Sequence, residues 1–146
     1  MKRKLAILIC LIFFASGVLR IFAGGGMMGM EAGWWVLDGE FAEAMEDTHR
    51  FFSERTVNLV CFTPFSYFGY IVFMGLTISL GALGQLWRKD WGLVLIGIYL
   101  LSHGALFVNF MEINPKIYIW GLSVFVTLVL IWANRQQAVQ PANSLS

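Results

Sequence analysis

Apolar residues run almost unbroken through four stretches of this chain, residues 5–23, 64–87, 91–110 and 117–133, and the charged residues gather between them. Each stretch is long enough to cross a hydrocarbon core of about 30 Å as a helix of about 20 residues. Backbone N–H and C=O groups find no water in such a layer, so each stretch must satisfy its own hydrogen bonds, and a helix does this. The pattern predicts an all-α integral membrane protein, a four-transmembrane-helix bundle forming one domain over residues 1–135. Residues 136–146 are polar, with Pro141, Asn143 and two serines, and read as a disordered cytoplasmic tail.

The sizeable polar interval, residues 24–63, carries its own pattern. It opens with Gly24, Gly25 and Gly26, which read as a flexible exit from the first helix. Met27, Met28 and Met30 follow; methionine suits soft metals, but no Cys or His stands beside them and no metal is assigned. Trp34 and Trp35 suit the headgroup belt of a membrane. Phe41, Met45 and Phe52 then recur on one helical face with His49, while Glu40, Glu43, Glu46, Asp47 and Glu54 point elsewhere. This predicts an amphipathic helix over residues 39–54. Its acidity suits packing on its own bundle or on a partner better than adhesion to anionic lipid. Residues 56–63 are apolar enough to extend the second long helix outward. Pro64 then stands either in that helix's first turn or at a kink within it.

Charge orients the bundle. With the N-terminus in the cytoplasm, the cytoplasmic segments hold six basic residues (Lys2, Arg3, Lys4, Arg88, Lys89 and Arg135) and one acid, Asp90. The opposite segments hold four basic residues and eight acids. The positive-inside rule places both termini in the cytoplasm and the interval 24–63 outside, in a bacterial inner membrane. The basic start followed by residues 5–19 also fits a secretory signal. Arg20 interrupts the cleavage region, and Ile21-Phe22-Ala23 matches a small-x-small site poorly, so the reading is a retained helix.

Composition narrows the function by exclusion. The chain is 58% hydrophobic and 13% charged, with net charge +1, so nothing marks a nucleic-acid partner. Cys10 and Cys61 fall toward opposite faces and make no disulfide framework. No CxxC, HExxH, GxSxG or Walker-type loop occurs, so no catalytic residue, metal or cofactor is named.

Four polar residues form the candidate intramembrane or outer-leaflet site: His103, Asn109, Glu112 and Arg20. His103 lies about 18 Å along its helix from Trp91, near or past the midplane, where ionisable groups face protein or a cavity. It reads either as a proton carrier, a metal or haem ligand or a quinone contact, or as a neutral histidine bonded to a neighbouring helix. Arg20, Asn109, Glu112 and Asn114 share a depth near the outer helix ends, with Asn58 and Tyr67 close by. Arg20 and Glu112 either pair or each snorkel to the headgroups.

The second long helix carries Gly75, Ser79, Thr77 and Gly81 at four-residue spacing, and the others add Ala15, Gly17, Gly97, Gly104, Ala105 and Gly121. Small residues let helix backbones approach, within one bundle or against another protein. Plentiful packing surface and sparse chemistry favour a non-enzymatic accessory or scaffold subunit of a membrane complex. Its partners would be the lipid bilayer and a membrane protein or second copy docked on small-residue faces. The alternative is a redox- or lipid-linked membrane enzyme or carrier with its site around His103. The order of elements, with the glycine-rich third helix and its Ser102-His103-Gly104 step, resembles small bacterial DoxX-like membrane proteins over residues 5–133. The resemblance implies a four-helix bacterial membrane protein of a kind sometimes linked to redox or sulfur metabolism, and it assigns no functional residue.

Overall fold

The computed structural model describes residues 2–36, 38–54, 59–111 and 115–138. These form five helices: α1 (Lys2–Glu31), α2 (Glu40–Glu54), α3 (Pro64–Leu86), α4 (Trp91–Phe110) and α5 (Lys116–Ala138). No strand occurs among the described residues. All but α2 are long and apolar enough to span a membrane. Their outward faces carry Leu8, Ile12, Leu19, Leu101, Leu122 and Phe125 exposed, an apolar surface suited to hydrocarbon and not to water. Four candidate transmembrane helices suggest a membrane protein.

The long helices pack in the cyclic order α1, α3, α4, α5, with α5 closing the ring against α1 and α4 more sparingly. Lipid gives no hydrophobic drive for helix association, so close packing must do the work. Glycines provide it at both major interfaces. A Cβ on Gly75 of α3 would stand 2.7 Å from the Gly17 carbonyl oxygen of α1, and a Cβ on Gly17 would stand 2.7 Å from that of Gly75. Between α3 and α4, Gly81 and Gly92 face each other in the same way. Around these contacts lie Cys10, Phe13, Met74, Ile78, Ala82, Ile96, Tyr99, Leu130 and Ala133, all buried.

The glycine run after Ala23 is not an exit from the helix. α1 continues through Gly24, Gly25 and Gly26 to Glu31, a rod of about 45 Å. Gly24 presses on Phe68, Ile71 and Val72 of α3, so the missing side chain serves interhelical contact. The helix stops at Gly33, whose φ of +74° suits glycine. There the Gly33 N–H donates to Met30 O and the Trp34 N–H to Gly29 O, a Schellman closure. Trp35 folds back, its indole N–H donating to Gly26 O at 3.0 Å.

α3 begins at Pro64, and the preceding described residues, 59–63, do not extend it. Thr63 caps it: its hydroxyl accepts from the Ser66 N–H at 3.2 Å, and the Thr63 N–H donates to Ser66 Oγ at 2.9 Å. Pro64 thus occupies the first turn and makes no kink. At its other end α3 closes by a second Schellman pattern, with Arg88 N–H donating to Gln85 O and Lys89 N–H to Gly84 O. The left-handed position here is held by Arg88, φ +56°, and not by glycine. α5 runs through Gln136 and Gln137 to Ala138, into the stretch read from polarity as tail; residues 139–146 lie outside the described residues.

Candidate functional site

One turn beyond the Gly17–Gly75 contact, toward the end of the bundle that carries α2, the polar residues of the interior meet. Arg20 projects from α1 toward α4. Its Nη2 donates to the Tyr99 hydroxyl at 3.3 Å, and its guanidinium carbon lies 5.6 Å from the centre of the Tyr99 ring. The same hydroxyl lies 3.3 Å from His103 Nδ1, one turn along α4. Tyr99 and His103 are both buried. With the hydroxyl donating to Nδ1, the imidazole carries its hydrogen on Nε2. On its other side His103 stacks on Phe107, ring centres 5.5 Å apart.

Neighbouring helices fix α4 here through its carbonyls. The Tyr70 hydroxyl of α3 donates to Ser102 O at 3.0 Å, and the Trp120 indole of α5 donates to Leu100 O at 2.9 Å. Trp120 reaches this position because Gly104 leaves room: a Cβ there would lie 3.3 Å from the indole. The His103 backbone is therefore held from both sides by bonds that cost nothing in helix hydrogen bonding, since a carbonyl has two lone pairs.

Arg20 and His103 border a chamber of about 460 Å³. Every helix contributes to it: Tyr67, Ile71 and Met74 from α3, Leu106 and Phe107 from α4, Lys116 and Ile119 from α5, and Asp47, Thr48 and Phe51 from α2. Its size lies within the range of about 300–1,000 Å³ common to small-molecule sites. α2 forms the roof. Its half-buried face of Met45, Thr48, Phe51 and Phe52 turns inward. Phe51 and Phe52 meet Phe110 edge-on at 5.3 and 6.1 Å, and Phe52 meets Tyr67 at 5.5 Å. The far side of the roof is tied to α1 by His49 Nε2 and Glu31 Oε2, 2.8 Å apart.

The structure brings together two of the four residues singled out by depth, Arg20 and His103. Asn109 is buried but serves elsewhere. Its side-chain oxygen accepts from the Val60 N–H at 2.6 Å, and its side-chain nitrogen donates to Val60 O at 3.3 Å, which ties the approach to α3 onto α4. Glu112, and with it the Arg20–Glu112 pairing, lies outside the described residues, as do Asn58 and Asn114. Tyr99 is the residue that the sequence did not flag. The signal was present as a hydroxyl four residues before His103, on the same helical face.

Among the described residues no group of three or more His, Cys, Asp and Glu side chains gathers as a metal site. Cys10 is buried and Cys61 exposed, both as free thiols. Comparison with known protein families, curated proteins and solved structures gives no match to this chain.

Proposed function

We propose that this is a bacterial inner-membrane protein that holds a small amphiphilic molecule in the chamber beneath α2, as a carrier or binding protein and not as an enzyme. The observation that carries this reading is the chamber itself: five helices wall one cavity, and its wall includes Arg20 and His103, which the buried Tyr99 hydroxyl joins. The lining combines polar groups, Arg20, Thr48, His103 and Lys116 among them, with the apolar Ile71, Met74, Leu106 and Ile119, which suits a ligand with a polar head and an apolar body. The reading develops the lipid-linked carrier expected around His103. The accessory or scaffold reading drew on small residues as docking faces, and Gly17, Gly75, Gly81 and Gly92 are engaged within the chain.

The charge asymmetry supports both termini in the cytoplasm, which places α2 and the chamber in the outer half of the membrane. Cys61, exposed near the start of α3, reports on this directly. A membrane-impermeant maleimide labels Cys61 in intact spheroplasts if the orientation is right; labelling only after lysis reverses it.

Native mass spectrometry of protein extracted in mild detergent tests the binding. One small-molecule adduct per chain is expected in the wild type and not in Ile71→Trp, which fills the chamber. A ligand-free chain that instead retains a stoichiometric protein partner overturns the reading in favour of the scaffold.

A further inference from the structure

Arg20 is the one Asp, Glu, Lys or Arg residue of α1 between Lys4 and Glu31, and α3 contains none. A charge in this position is costly in a membrane unless an opposite charge or water answers it. Its direct contacts among the described residues are neutral, a tyrosine hydroxyl and a tyrosine ring, with no carboxylate within 4 Å, and the chamber lining adds a second cation, Lys116. Its Nε is buried and has no hydrogen-bond partner. The one acid lining the chamber among the described residues, Asp47, is engaged by Arg50 at 2.6 Å on the same helix. The chamber thus presents a guanidinium bonded to Tyr99 whose charge no carboxylate among the described residues answers.

Resting on the chamber reading above, we infer that the ligand is an anionic amphiphile, with a carboxylate or phosphate head seated against Arg20 and an apolar tail among Ile71, Met74, Leu106 and Ile119. A guanidinium fork matches either head, and charge-assisted hydrogen bonds are the strong ones. Tyr99 is a positioning residue: it orients the guanidinium and couples it to His103. A neutral amphiphile of the quinone or alcohol type would fill the chamber but leave the Arg20 charge as it is.

The test uses the full chain in nanodiscs of neutral phosphatidylcholine, with hexadecanoate, dodecyl phosphate, hexadecanol, acetate and inorganic phosphate as probes and native mass spectrometry as readout. Hexadecanoate and dodecyl phosphate are expected to bind one per chain, ~10-fold or more tighter than hexadecanol, the factor that one charge-assisted bond confers. Arg20→Gln brings the two anions down to the level of the alcohol, and Arg20→Lys, which keeps the charge, retains most of the preference. Thermal melting of both variants confirms that they fold. Should Arg20→Gln fail to fold, the preference in the wild type and in Arg20→Lys still decides. Equal binding of hexadecanol and the anions overturns the anionic head and leaves the chamber reading standing. Acetate or inorganic phosphate binding as tightly as hexadecanoate shows a site for a free anion and overturns the amphiphile. No binding of any probe overturns both.

Discussion

Asn109 holds Val60 by both faces of one residue, accepting from its N–H at 2.6 Å and donating to its carbonyl at 3.3 Å. This pair of bonds stands in for a backbone ladder where the chain is neither helix nor strand. It fixes the end of the α2–α3 connection against the last turn of α4, beside Phe62 and Phe110, whose rings lie 6.2 Å apart. Asn109→Ala removes both bonds and is expected to cost about 1–3 kcal/mol. Thermal unfolding in detergent should show this, with added deuterium uptake at residues 59–63. Asn109→Asp keeps the acceptor but turns a lone pair on the Val60 carbonyl, so it should be destabilised too; a neutral result in both would mean that the connection is held by the aromatic cluster alone.

The Gly17–Gly75 contact predicts a sharp asymmetry among glycines. Gly75→Ala drives a methyl group against the Gly17 carbonyl and should destabilise by about 1–3 kcal/mol as α1 and α3 are forced apart. Gly97→Ala on α4 meets open space and should be neutral or stabilising by up to about 1 kcal/mol through helix propensity. Melting curves of the two variants side by side decide it, and equal effects would contradict the packing described.

Four crossing segments were legible because length and polarity alone specify them, and the charges between them are sparse. The end of α1 was not legible. A run of three glycines looks like a break in any local reading, and only Phe68, Ile71 and Val72, more than forty residues away, show that its first member, Gly24, is a packing position. Residues 59–63 differ for the opposite reason: apolarity suggested helix, while the Thr63–Ser66 cap imposes the boundary at Pro64; residues 56–58 lie outside the described residues. Counting depth brought Arg20 and His103 to one region, but depth carries no azimuth. It could not separate Asn109, which faces the Val60 strap, from residues facing the chamber. Tyr99 was hidden as one more aromatic in an apolar run.

Arg88 occupies a left-handed position that glycine would adopt without strain. Arg88→Gly should therefore stabilise the turn between α3 and α4 by about 1 kcal/mol. An increase in melting temperature is the expected reading. A decrease would show that the Arg88 side chain, which borders a second, smaller cavity with Arg3 and Gln85, contributes more than its backbone strain costs.

The roof helix α2 is attached mainly through rings. Phe52→Ala removes edge contacts with Phe51, Phe110 and Tyr67 and should raise deuterium uptake across residues 40–54. His49→Ala breaks an exposed contact with Glu31 and should change stability by less than about 1 kcal/mol. If His49→Ala frees α2 and Phe52→Ala does not, the polar tie governs the roof.

The chamber under α2 and the smaller cavity near Arg3 share no lining residue. Ile78, Ala82 and Ile96, which line neither, pack the middle of the bundle with almost no exposed surface. The two cavities are separate among the described residues. For a ligand held beneath α2, as proposed, this packed middle stands in the way of the second cavity, and passage between them would require α1, α3 and α4 to part along their glycine contacts.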